Sequence, residues 1–265
     1  MNEQFEDAHP RRATRWHKSL RWFLAEFLVV VVGILVAMAL NSAYQDRQDA
    51  AAERDYLQRL SRDLQGTIEA VQEAQAFERK QYDDGILASR ALASTTRPAN
   101  AEQVATALSH LSERRTLLLR NATYLDLVNT GNLRLIRDTA FRDRITGFYQ
   151  GTEFRFDIIN KNNTVWVDES YRQRILVSGL VMPRISSNLP SLADGDNETK
   201  RLLGDALPLP PDRLWTVPPD SPDWAVVRGN LRMRLMVASA TRGLLAQTMG
   251  EARELKAAVD AELKR

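Results

Sequence analysis

From Phe27 to Leu40 the chain reads FLVVVVGILVAMAL, a run with no charged or hydrogen-bonding side chain. A bilayer core of roughly 30 Å needs about 20 helical residues at about 1.5 Å rise each. The apolar run therefore predicts one membrane span over residues 22–44, with its ends at the headgroups. Trp16, Arg21, Trp22 and Tyr44 suit that depth as interface anchors, because amphipathic rings and long cationic side chains settle there. Beyond the span the pattern changes from continuous to periodic. Leu57, Leu60, Leu64, Ile68 and Val71 recur at steps of three and four, one apolar stripe on a helix. Ala50, Ala51 and Ala52 favour helix between the two patterns, so span and stalk read as one rod ending near Ala93. A stripe that fades after Val71 suits the core of an intramolecular bundle better than a coiled-coil seam.

Asn100 is placed as the next N-cap, with Gln103 at the capping-box position and Val104, Leu108 and Leu111 facing inward. A short helix carries Tyr124, Leu127 and Val128 and stops at Gly131, a residue suited to the left-handed position after a helix. Asp138 caps a long helix with Phe141, Ile145, Phe148, Tyr149, Phe156, Ile159 and Trp166 inward, reaching to about Ser178. Six of the ten prolines then fall between Pro208 and Pro222, which predicts a stiff, extended connection carrying Trp215 and Trp224 onto the bundle. Ser221-Pro222-Asp223 reads as N-cap, first-turn proline and first-turn acid of a final helix. No strand pattern and no internal repeat appears. The expected fold class is all-α: one transmembrane helix continuing into an exported antiparallel helical bundle with a Pro-rich connection. The expected divisions are a basic tail over 1–21, the span over 22–44 and stalk and bundle over 45–182. The connection follows over 183–221 and the last bundle helix over 222–265.

Charge sets the orientation. Arg11, Arg12, Arg15, Lys18 and Arg21 precede the span, while Asp46, Arg47, Asp49, Glu53, Arg54 and Asp55 follow it. The positive-inside rule places the tail in the cytoplasm and residues 45–265 on the far side of the membrane. A cleaved signal peptide with Ala37-Met38-Ala39 as its cleavage site is the rival reading. It requires a long basic leader and places Glu26 inside the apolar segment. A buried core helix of a soluble protein fits the basic and aromatic flanks less well. Lysines and arginines number 36 against 34 acids, and the tail alone supplies that excess. The remainder is nearly neutral, so no nucleic-acid partner is expected. The absence of cysteine rules out disulfides and thiolate chemistry.

The segment Glu26 to Asn41, with its acid, Gly33 and Ala37 at these offsets, resembles an uncharacterised bacterial family of single-span, N-terminally anchored helical membrane proteins. Tyr56-Leu57, Leu60 and Asp63-Leu64 resemble the stalk of that family. Tyr124, Leu127 and Thr130-Gly131-Asn132-Leu133-Arg134-Leu135-Ile136 are similar to its second block. The chain departs in having Ala43-Tyr44 where many relatives place a tryptophan. The resemblance covers the first half and implies an anchored helical protein; it lends no activity, cofactor or partner.

Candidate chemistry is sparse. Glu26, Gly33 and Ala37 are seven and four residues apart and share one helix face. Gly33-x-x-x-Ala37 allows close backbone approach, and a carboxylate within a span costs about 2.5–3.5 kcal/mol at the bilayer centre. This face is the candidate contact with another membrane protein or a second copy. A headgroup-level Glu26 paired with Lys18, Arg21 or lipid is the plainer alternative. His110 is the lone histidine beyond the span, which suits a charge partner better than a catalyst. Asp83-Asp84 and Asp168-Glu169 point in different directions as neighbours on a helix and read as solvated faces. Asp194-Gly195-Asp196-Asn197-Glu198 fails the EF-hand spacing and reads as a turn and cap, so no metal site is expected. Asn160, Asn162 and Asn163 interrupt an apolar helix and form a candidate ligand-facing patch, with solvent exposure as the alternative. No catalytic residue and no cofactor is expected, and the chain is not read as an enzyme. The expectation is a membrane-anchored extracytoplasmic scaffold or accessory subunit held by the bilayer and by protein contacts. The alternative is a ligand-sensing bundle that signals through a partner membrane protein.

Overall fold

A computed structural model describes residues 13–184 and 210–264, with side chains from Trp22 onward. The expectations for the tail before Ala13, for the side chains of Trp16 and Arg21, for Asp194 to Glu198 and for Pro208 lie outside these residues. Every regular element among the described residues is helical. The helices are α1 (Ala13–Ala91), α2 (Ala101–His110), α3 (Ala122–Asn129), α4 (Thr139–Asn162) and α5 (Pro222–Glu262). A wide-turned π-helix (Asn163–Val177) follows α4 directly, and two short 3₁₀ turns lie at Asn132–Leu135 and Arg213–Thr216. The chain divides into two compact units, Met1–Asp55 and Tyr56–Arg265.

The first unit contains the apolar part of α1. An 18-residue stretch there is apolar enough to cross a membrane, and none of it is buried. In the second unit, α5 runs antiparallel to α1: Ser61 donates to Asp260 at 2.6 Å near one end, and Arg228 donates to the Leu92 carbonyl at 2.8 Å near the other. It also runs antiparallel to α4 and the π-helix, through Arg155 with Thr248 at 2.9 Å and Ser170 with Asn230 at 3.0 Å.

Caps follow local chemistry in two places and tertiary chemistry in a third. Asp138 accepts the Phe141 N–H at 3.1 Å, and Ser221 accepts the Asp223 N–H at 3.2 Å ahead of a helix that begins at Pro222. Asn100 does not cap α2 with its side chain. Its ψ of 33° leaves the backbone short of the extended form that aims a cap at the first turn. At α3 the cap comes from α1, where Asp63 accepts the Thr123 N–H at 3.0 Å. Gly131 and Gly179 occupy the left-handed region, at φ 70° and 71°.

Two buried apolar clusters make the core. One gathers Leu57, Leu60, Leu64 and Val71 with Ile145, Ile159, Leu245 and Val259; the other gathers Ala88, Leu92, Leu108, Tyr171, Ile175, Val227 and Leu231. Trp224 is buried in the second, 6.0 Å from the half-buried Trp215. The long helix departs from expectation at Trp166, which is 38% exposed, while Val167 is wholly buried. The reason is spacing. Ile159, Asn163, Val167, Tyr171 and Ile175 are buried at unbroken steps of four. On an α-helix each such step overshoots a turn by about 40°, so four steps would carry the stripe about 160° round the axis. Turns wider than α counter that drift. The winding is rare at this length, and its close is widened too: the Val181 N–H reaches back six residues to the Ile175 carbonyl at 3.1 Å.

Candidate functional site

The first candidate face lies on the apolar part of α1. Trp22, Glu26, Gly33, Ala37 and Tyr44 are all exposed. Beyond its chain neighbours and the adjacent helical backbone, no atom lies within 4 Å of where a Cβ on Gly33 would stand. A helix apolar on every side and covered by nothing has only lipid or another apolar helix as a favourable neighbour. On this helix Glu26 is the ionisable group in the register of Gly33 and Ala37, seven and eleven residues before them along the same strip.

The asparagines are engaged by the chain itself. The Asn160 amide accepts the Leu117 N–H and donates to the Leu117 carbonyl, both at 3.0 Å. Asn163, wholly buried, donates to the Arg115 carbonyl at 3.1 Å. These two side chains stand where a neighbouring strand would, holding an extended segment that has no sheet partner. Asn162 is half-buried and lines none of the clefts described below. Asn160 and Asn163 thus turn their amides onto the chain's own backbone.

The paired acids are split by their helices, one inward and one outward. Asp84 stands 3.4 Å from the buried His110, and Asp168 pairs with Arg114 and Arg172, while Asp83 and Glu169 are exposed. His110 closes α2, where a cation suits the carbonyl end of the helix, but it is buried rather than on the surface. Among the described residues no three His, Asp or Glu side chains stand close enough to hold a metal ion.

One polar cluster was missed by the sequence reading. Arg234 of α5 is 0% exposed. It donates to the Leu111 carbonyl at 3.0 Å, to Gln81 at 3.2 Å and to the Glu113 carbonyl at 3.4 Å. Its Nη1 faces Glu78 Oε2 at 3.5 Å, an ion pair without a formed hydrogen bond. Burial pushes the Glu78 carboxyl above its ordinary value, and the Arg234 charge offsets this only in part. Tyr171, beside this group, donates to the Leu108 carbonyl at 2.8 Å, and burial raises its hydroxyl far above the usual range, so it serves as a neutral donor. In chain order Glu78 and Gln81 lie between Ala74 of one apolar cluster and Ala88 of the other, as Arg234 lies between Leu245 and Leu231. The group is a polar layer between two apolar cores. A sequence signal existed: Val71, Ala74, Glu78, Gln81, Gly85, Ala88 and Leu92 keep the three-and-four rhythm, so the stripe turns polar at Glu78 rather than ending.

A second polar knot closes α4 on α5. Arg155, buried, bonds Thr152, Thr248 and both oxygens of Glu251. It borders a cleft of 290 Å³ with Arg144, Glu254 and Leu255. Its donors are turned onto the protein's own acceptors, which makes it a brace between helices rather than a ligand clamp. Arg184 acts likewise, bridging Glu102 and Asp212.

Compared with known protein families, with characterised proteins and with solved structures, the chain matches none.

Proposed function

We propose that this chain is a membrane-anchored scaffold or accessory subunit whose exported helical bundle works by protein–protein association. The observation that supports this most is the exposed apolar stretch of α1 bearing Glu26, Gly33 and Ala37 on one strip. Lipid satisfies the apolar residues but not the acid, whereas a partner helix satisfies both the acid and the small-residue approach. The basic flank at residues 11–21 supports a cytoplasmic tail, with residues 45–265 periplasmic. The burial and engagement of the asparagines and buried arginines by the chain's own groups favour association over ligand sensing. Catalysis has no part in the reading.

The test is native mass spectrometry of the particle extracted gently from its own membrane. Foreign subunits in fixed stoichiometry support an accessory role and identify its setting. A monomer, alone in lipid, sinks it.

A further inference from the structure

One surface of the second unit differs in character from the rest. Two clefts lie along the same side of the α1–α5 pair. The larger, 560 Å³, is lined by Ser89 of α1 and Leu92 and Ala93 just past its end, with Arg228, Leu231, Arg232 and Leu235 of α5. The other, 430 Å³, is lined by Gln75 and Arg79 with Ser239, Arg242, Gly243 and Ala246. On α5 the positions 228, 232, 235, 239, 242 and 246 alternate steps of four and three, a single straight face. On the α1 side the positions 75, 79, 89 and 93 keep the same register. The two clefts are thus parts of one groove, about 27 Å long from Gln75 to Ala93 at about 1.5 Å per residue. Small residues keep it open, with buried Leu92 and Leu231 in its floor.

The charge of the groove has one sign. Arg79, Arg228, Arg232 and Arg242 line it, and no aspartate or glutamate does. Among the described residues none of the four makes an ion pair with a carboxylate. Two are already positioned. The Arg242 guanidinium lies 4.9 Å over the Tyr82 ring. Arg228 is held by the Leu92 carbonyl and lies 5.6 Å from the Trp224 ring. Fixing these groups in advance lowers the ordering cost of binding.

We infer that the groove docks an acidic amphipathic helix of a partner protein, with small apolar side chains on the floor and carboxylates on the four arginines. A second copy is disfavoured, because a two-fold contact through this face would set arginine against arginine. The inference does not depend on the proposed contact through Glu26 and Gly33; either can fail while the other stands.

The test uses the full chain in phosphatidylcholine nanodiscs. The probe is a labelled three-heptad helical peptide with alanine and leucine on one face and flanking glutamates, set against its lysine counterpart. Fluorescence anisotropy should show saturable binding of the glutamate peptide only. Binding should weaken about tenfold or more in Arg79→Glu/Arg242→Glu and in Arg228→Glu/Arg232→Glu, with unchanged circular dichroism. The chain has no cysteine of its own, so Ser239→Cys is a clean position marker. It should form a disulfide with a cysteine at the peptide's centre, whereas Glu153→Cys on the exposed side of α4 should not. Absent binding, equal binding of the lysine peptide, indifference to the arginine reversals, or a Ser239→Cys disulfide between two copies would each overturn the inference.

Discussion

The two parts of α1 are one helix with two distributions of apolar side chains. From Trp22 to Leu40 all its side chains but the half-buried Val31 are exposed, whereas from Leu57 to Ala88 it buries one stripe. Both parts are helical, so winding does not distinguish them; the distribution of apolar groups does. A helix apolar on all faces leaves no polar side for water, and one apolar on a stripe has one. The first part is therefore suited to an apolar solvent, while the second makes its own from α4, α5 and the segments between. The contrast also shows where polar groups are tolerated. Glu26 is exposed on the first part, whereas Glu78 and Gln81 are buried in the second against Arg234.

The sharpest way to break the comparison is to charge the first part. Val32→Arg with Leu35→Arg should cost about 5–7 kcal/mol of insertion, taking about 2.5–3.5 per arginine. The chain should leave the membrane fraction on flotation while the second unit keeps its thermal transition. Loss of that transition would show that the two parts are not independent in stability.

Next comes the polar layer. Arg234→Met leaves the Glu78 carboxyl buried without its counter-charge and should cost about 3–5 kcal/mol. Adding Glu78→Met and Gln81→Leu should recover most of it, since well-packed apolar residues often replace a buried ion pair at little cost. Urea midpoints of the single and triple variants decide this. An equally unstable triple variant would mean the layer contributes more than pairing.

Leu64→Ala, in the stripe, should cost about 2–5 kcal/mol through the cavity it leaves. The matching Leu35→Ala in the first part should leave the melting of the second unit unchanged. Gly33→Leu and Glu26→Gln should act in the opposite place, weakening assembly in native mass spectra without moving that transition. Intact complexes in both would remove this face from the proposed contact.

The smallest effect concerns pH, with two acids of opposite sign. Asp260 is held below its ordinary 3.8 by hydrogen bonds from Lys256 and Ser61. Its contribution is complete above that value and is lost as pH falls through the lower folded value. Glu78 is raised above its ordinary 4.5, so folding loses stability as pH climbs from there towards the raised value. Asp260→Asn should flatten the acid limb of a stability profile, and Glu78→Gln should remove the loss on its alkaline side. Unchanged profiles would mean neither acid is perturbed as described.

Much of the helical plan was legible because its signals are local. The apolar run at Phe27, the stripe from Leu57, the caps at Asp138 and Ser221 and the glycine at 131 each depend on a few neighbouring residues. The failures occurred where distant segments decide. Trp166 was placed inward by counting α-turns, but the steps of four from Ile159 favour wider turns that bring Val167 inward instead. Asn100 had the chemistry of a cap without the backbone angle. Asn160 and Asn163 looked like a ligand patch because the segment they hold, near Leu117, lies more than forty residues away in sequence.

By itself, then, the sequence determined an all-helical chain with one stretch suited to an apolar medium, because hydropathy and helical period are properties of adjacent residues. Tertiary structure alone decided that Glu78, Gln81 and Arg234 meet in one polar layer, that two helices wind an arginine-lined groove between them, and that α4 passes into a π-helix. Those outcomes depend on which side chains share a space once the chain has closed on itself, and sequence separation carries no record of that distance.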